Sequence, residues 1–175
     1  QKFKPNEILL EMNNDLKETN PAGTFITSIV GRYNMKSDLV EIANAGHQPA
    51  LLKIEKEFKE FKEFKEFPSS SMPLAVTKKK DESEYKLESF NLNGGRIYCF
   101  TDGFSECIDE NKKEIGIDGV KELIIKHQNS SLRKELEDAT EEIRLRSLKK
   151  GTIEKGIKEN NDILDDDLTI IGIGK

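Results

Sequence analysis

The chain has 175 residues, enough for one domain with a real hydrophobic core. It carries 28 Lys and Arg against 33 Asp and Glu, a formal net charge of −5, which argues against nucleic acid as the main partner. Its two cysteines, Cys99 and Cys107, are too few for a disulfide scaffold; a buried reduced thiol at Cys99 and a cytoplasmic setting are expected. No apolar run approaches the ~18 residues that span a bilayer. No secretory signal opens the chain, and residue 1 is Gln, so the sequence reads as a piece of a longer one.

Pro5 to Glu18 reads as a helix, with Pro5 in its first turn and Ile8, Leu9, Met12 and Leu16 on one apolar face. Asn20-Pro21-Ala22-Gly23 ends it. Thr24–Tyr33 and Leu39–Ala45 read as two strands of a hairpin turning at 34–38. His47 follows a glycine and precedes a proline by two residues, which places it in a turn between strands, a common setting for a structural histidine. Residues 56–67 repeat Lys-Glu-Phe four times. A period of three fits neither a helix nor a strand: on a strand the phenylalanines would alternate faces. The repeat reads as a low-complexity surface excursion, or as an apolar, charged arm that touches a partner or substrate. Pro68–Ser71 is a loop, Lys78–Lys80 a solvated hairpin turn, and Tyr85–Leu92 a strand that turns at Asn93-Gly94-Gly95 into a central strand.

That central strand is Ile97-Tyr98-Cys99-Phe100, a short apolar run rich in β-formers, and it stops at Thr101-Asp102-Gly103. A buried strand ending in a tight turn is expected, with Gly103 free to take φ > 0 and Asp102 held at the rim of a sheet. Two helices follow, one beginning near Asp118 and one spanning Leu132–Leu148; Gly151–Ile163 reads as a polar connection. The closing strand, Leu168–Ile173, is entered through Asp165, Asp166 and Asp167. Like charges this close repel unless a cation or water screens them. Two strands that each present an aspartate at one end are what a hard-cation site needs: carboxylate oxygens on a rigid base. Two histidines and two cysteines form no zinc-ligand spacing, so carboxylates would hold any metal, which favours Mg²⁺ or Mn²⁺. The element order is an α+β pattern with antiparallel sheet.

Three segments in this order and spacing carry a resemblance: Ala43-Asn44-Ala45-Gly46-His47-Gln48-Pro49-Ala50-Leu51-Leu52, Phe100-Thr101-Asp102-Gly103-Phe104-Ser105-Glu106, and Asp166-Asp167-Leu168-Thr169-Ile170-Ile171. Together they resemble the type 2C (PPM) metal-dependent protein phosphatases, in the bacterial branch typified by stage II sporulation protein E and the sigma-B regulatory phosphatase. The resemblance covers nearly the whole of residues 1–175 as a single phosphatase domain, its C-terminal portion. It implies an α-β-β-α sandwich of two antiparallel sheets flanked by helices, with the N-terminal strands and first helix of the family missing. It also implies two Mn²⁺ or Mg²⁺ ions at one edge and hydrolysis of phosphoserine or phosphothreonine on a regulatory phosphoprotein, such as an anti-sigma-factor antagonist.

Carried over by position, Asp102 and Asp166 are expected as metal ligands and hence as the catalytic residues. Asp167 stands where relatives have Asp or Asn and is not assigned to metal; Gly46, His47 and Glu106 match without an argued role. In such enzymes a metal-activated water is the nucleophile, so no side-chain nucleophile is required. The sequence also departs from the pattern. The family's strand ending in Gly-Asp, whose aspartate bridges the metals, is absent from these residues, and Ser71 and Ala75 replace glycines that usually flank Pro-Leu. The chain alone is therefore expected to bind metal weakly and to have little or no activity. The alternative is a catalytically inactive phosphatase-like module that binds a regulatory partner. The resemblance further implies an upstream sensor domain and control by dimerisation.

Overall fold

The computed structural model describes residues 3–54, 63–109, 111–155 and 167–174, with side chains described as far as residue 146 within the last helix. Helix α1 (Pro5–Thr19) opens with Pro5, whose missing N–H would have no partner in a first turn anyway. The Glu7 carboxylate accepts from the Lys4 backbone N–H at 2.8 Å and caps the start. Its buried line is Pro5, Asn6, Leu9 and Asn13; of the expected face Leu9 is fully buried and Leu16 packs on the same core, while Met12 is exposed. The reason for Asn13 is polar. Asn13 donates to the Thr77 carbonyl at 3.0 Å and accepts from the Ala75 N–H at 3.0 Å, pinning the 75–77 loop to the helix.

Strands β1 (Ser28–Asn34) and β2 (Leu39–Ala45) form the expected hairpin, joined by β5 (Glu88–Asn91) in a three-stranded antiparallel sheet of order β1-β2-β5. β1 starts later than expected: before it only Ile26 pairs, in an isolated bridge with Leu74. β5 is shorter than expected because Tyr85 leaves the strand line to pack, fully buried, with Leu9 of α1. Lys78–Lys80 is no hairpin turn; it docks on α1, where Asn14 donates to the Lys79 carbonyl and accepts from the Lys79 N–H.

The second sheet contains β3 (Ala50–Ile54), β4 (Glu63–Phe67), β6 (Arg96–Phe100) and β7 (Ile170–Ile173), in the order β4-β3-β6-β7, all antiparallel. The end of the Lys-Glu-Phe repeat is thus a strand, not a surface excursion; residues 55–62 lie outside the described residues. A period of three on a strand does send its phenylalanines to opposite faces: Phe64 packs toward the helices, Phe67 between the sheets. Helices α3 (Gly116–Lys126) and α4 (Leu132–Lys155) cover the outer face of this sheet, and α4 runs into the stretch expected as a polar connection. Ion pairs one turn apart, Arg133–Glu137, Lys134–Asp138 and Glu142–Arg146, sustain that charged helix.

The layers are α-β-β-α. Alternation sorts every inner strand between two cores. Val40, Ile42, Ala50, Leu52, Leu92 and Ile97 meet between the sheets. Ala43 and Ala45 face α1. Leu51, Tyr98 and Phe100 face α3 and α4. One edge of the sandwich is sealed by Phe67 of β4 stacked on Phe90 of β5, ring centroids 4.4 Å apart. The other edge, where β1 faces β7, is an open apolar cleft of about 260 Å³. There Ile171 and Ile173 are 58% and 40% exposed, although their neighbours on β7 are half-buried.

Candidate phosphatase site

β6 is buried on both faces, which makes it a stiff base for whatever follows it. A deep ionic cluster anchors its start. Arg96 and Tyr98 of β6 and Lys53 of β3 all donate to the Glu135 carboxylate of α4, Arg96 at 2.5 Å and Lys53 at 3.0 Å. Arg96 also holds the Asn129 and Ser130 carbonyls before α4. Glu135 is 1% exposed. Burial works to raise its pKa, but hydrogen bonds from Tyr98, Lys53 and the Asn129 N–H outweigh this and hold the carboxyl below its ordinary value.

At the far end of β6, pairing with β7 ends at Phe100↔Ile170, and Thr101 continues the contact by other means. Its N–H donates to the Thr169 carbonyl at 3.0 Å. Its hydroxyl donates to the Asp167 carbonyl at 2.8 Å and accepts from the Thr169 N–H at 3.0 Å. Asp102 then opens a four-residue helix, α2 (Asp102–Ser105), in place of the expected tight turn. Gly103 is helical and does not take positive φ. Glycine is needed there for space: a Cβ would stand 2.8 Å from the Asp167 carbonyl oxygen and 3.0 Å from Leu168 Cδ2. The entry to β7 lies directly on the Asp102-Gly103 turn.

Asp102 is exposed at this rim, and its carboxylate has no hydrogen-bond partner among the described residues. Asp167, beside it through Gly103, is exposed as well. Asp166, the other expected ligand, lies outside the described residues. Among the described residues no group of three or more His, Cys, Asp and Glu side chains converges on one point. The donors at the rim are carboxylate oxygens on short, tightly bonded turns, a set that suits a hard cation such as Mg²⁺ or Mn²⁺.

The first motif reaches the same place. His47, Thr101 and Thr169 all line one cleft, together with Ile29, Ile42 and Cys99. Burial pushes the Cys99 thiol up to about 11, so it stays protonated at neutral pH. Neither Cys99 nor Cys107 forms a disulfide. The turn that carries His47 is fixed by Asn44, a residue without a catalytic signature in the sequence. The Asn44 side chain accepts from the His47 N–H at 2.9 Å and donates to the His47, Gln48 and Phe67 carbonyls. Gly46 takes φ +72°, the left-handed region, with Pro73 against it. A proline 27 residues downstream is invisible to local pattern reading.

The model of the family described as Stage II sporulation protein E (SpoIIE) matches residues 1–174. The chain belongs to the SpoIIE family. It is 25% identical over 107 residues to the phosphoserine phosphatase RsbU of Bacillus subtilis (strain 168), a match covering 61% of this chain and 30% of that protein. Among solved structures it is similar to the SiaA-PP2C domain of Pseudomonas aeruginosa, with a TM-score of 0.70 at 17% identity, over 98% of this chain and 61% of the other. It is also similar to the phosphatase domain of the cell fate determinant SpoIIE from Bacillus subtilis, Mn presoaked, with a TM-score of 0.58 at 13% identity, over 97% and 70% of the two chains. These likenesses bear out the PP2C-type sandwich. The chain spans less than two thirds of the length of RsbU and of the SiaA domain. Among the described residues no helix is long and apolar enough to cross a membrane.

Proposed function

We propose that this SpoIIE-family chain is the C-terminal portion of a metal-dependent phosphatase that hydrolyses phosphoserine or phosphothreonine on a regulatory protein. Asp102 and Asp166 are the metal ligands in this reading. The observation that supports it best is convergence: Thr101 before Asp102, Thr169 at the entry to β7 and His47 all line one cleft, and Gly103 and Thr101 hold the entry to β7 against the Asp102 turn. Divalent cations bound there would supply a water of lowered pKa and neutralise phosphoryl charge in an in-line displacement. This chain's own contribution is to carry the carboxylates on backbone held by stiff elements. Thr101 does so by clasping the entry to β7, and Gly103 by leaving room for it.

The family's Gly-Asp ligand does not occur in residues 1–175, so turnover by these residues alone is expected to be slight. The substrate by this reading is a phosphoprotein of the anti-sigma-factor-antagonist kind, with control by an upstream sensor and dimerisation. The test is Mn²⁺-dependent phosphate release from a phosphoserine protein by the full-length protein, with and without Asp102→Asn. Loss of activity in the variant supports the assignment. Unchanged activity removes Asp102 from the site, and a full-length protein silent at every Mn²⁺ concentration favours the partner-binding module instead.

A further inference from the structure

His47 is held in a way that a merely structural turn residue does not require. Its Nδ1 lies 3.2 Å from the Gln48 carbonyl oxygen. That oxygen can only accept, so the contact calls for a proton on Nδ1, and in that tautomer of the neutral ring Nε2 keeps its lone pair. No described residue bonds Nε2. His47 is half-buried and lines the same cleft as Thr101 and Thr169, the two threonines flanking the aspartate rim. The Asn44 side chain, bonded to the His47 N–H and to the His47 and Gln48 carbonyls, the Ser69 hydroxyl accepting from the Gly46 N–H at 2.6 Å, and the Pro73 wall behind Gly46 fix the turn. The outcome is an oriented imidazole with one free acceptor at the end of the cleft where the motifs meet.

A lone pair there decides the chemistry. Phosphoryl oxygens are acceptors too and would be repelled by it; a water O–H is a donor and fits. We propose that His47 is a further catalytic residue of the hydrolysis read at the Asp102 rim, its Nε2 accepting a hydrogen bond from the attacking water. The proposal rests on that phosphatase reading. No bond to the ring forms or breaks. The water oxygen bonds to phosphorus, the phosphorus–oxygen ester bond breaks, and the leaving serine or threonine oxygen takes up, through solvent, the proton that the water gives up, becoming the free hydroxyl. The histidine aims the water's other lone pair at phosphorus.

Two substitutions separate this role from a structural one. In His47→Asn the side-chain amide can still donate to Gln48, but nothing stands at Nε2. In His47→Gln an amide oxygen can reach the Nε2 position. In the full-length protein with Mn²⁺ and a phosphoserine protein, His47→Asn should lower kcat by roughly 100-fold, the scale of a misaligned reactant, with KM and melting temperature little changed. His47→Gln should recover a large part. Wild-type kcat in His47→Asn overturns the proposal.

A second arm needs no turnover. The chain has only two histidines, and His127 sits near the opposite end of β6, two residues before the Asn129 carbonyl that Arg96 holds. With Mn²⁺ alone added, the NMR signals of the His47 ring should broaden together with the Gly103 amide, while those of His127 persist. Broadening at Gly103 without His47 sinks the histidine proposal and leaves the phosphatase reading standing. Broadening at neither, with Mn²⁺ raised to the level at which even a weak carboxylate site fills, sinks both.

Discussion

Gly46→Ala tests whether the turn before His47 is as rigid as its packing implies. Gly46 takes φ +72°, a conformation that costs a residue with a Cβ about 1–2 kcal/mol. Alanine recovers roughly 0.4–1 kcal/mol by narrowing the unfolded ensemble. The remaining effect is steric. The new Cβ would stand 2.4 Å from Pro73 Cγ and 2.8 Å from both Pro73 Cδ and its backbone nitrogen. Pro73 has little room to retreat, since Ser71 bridges to Ala45 on one side of it and Leu74 to Ile26 on the other. Overpacking of this kind costs about 1–3 kcal/mol, so the substitution should destabilise by about 3 kcal/mol in all. Gly23→Ala is the internal control: φ is +87°, and nothing lies within 4 Å of its Cβ position. It keeps the backbone effect without the wall and should cost under about 1 kcal/mol. Urea unfolding at one pH measures both. Equal destabilisation, within about 0.5 kcal/mol, would refute the reasoning, because it would mean that Pro73 gives way freely.

Two more predictions follow from carboxylates held by several cationic partners. Glu135→Gln leaves the ammonium of Lys53 and the guanidinium of Arg96 facing a neutral amide in the interior, and should lower unfolding free energy by about 3 kcal/mol or more in the same assay. Glu142 receives hydrogen bonds from Lys126, His127 and Arg146; burial alone would raise its pKa, but these bonds outweigh it and hold the carboxyl at about 2. Its stabilisation is therefore fully present above the ordinary value of 4.5 and fades as pH falls from 4.5 toward 2. Glu142→Gln should be less stable than the unaltered protein by about 3 kcal/mol near pH 6 and by only about 1 kcal/mol near pH 3. A gap that does not change with pH contradicts the assignment of the low pKa to Glu142.

The elements most legible in the sequence are those whose pattern is local. The run 97–100 reads as a buried strand because apolar β-formers stand on both faces of β6, and both faces are indeed covered. β4 was not legible, because its three-residue period announces no single face. Pairing with β3, through Ala50↔Phe67 and Ile54↔Glu63, decides it instead, and the two phenylalanines enter different cores. Tyr85 reads as strand by propensity, yet burial against α1 takes it out of the sheet. Gly103 shows the same limit at the site. Its identity was visible, but the reason for it, the Asp167 carbonyl oxygen 2.8 Å from any Cβ, comes from a contact 64 positions along the chain.

That contact also explains why the rim can be stiff although Asp102 itself is exposed. β6 is fixed at both ends by groups that do not depend on the aspartate. At its start Arg96 is held by Glu135 and by two backbone carbonyls. At its end Thr101 exchanges three short bonds with Asp167 and Thr169. Between these anchors the strand pairs with β3 on one side and β7 on the other. An exposed carboxylate normally roams through several rotamers at little energetic difference. Here the backbone that carries it cannot roam, so only the side-chain torsions remain to be fixed when a cation binds, and the ordering entropy charged against binding is limited to them.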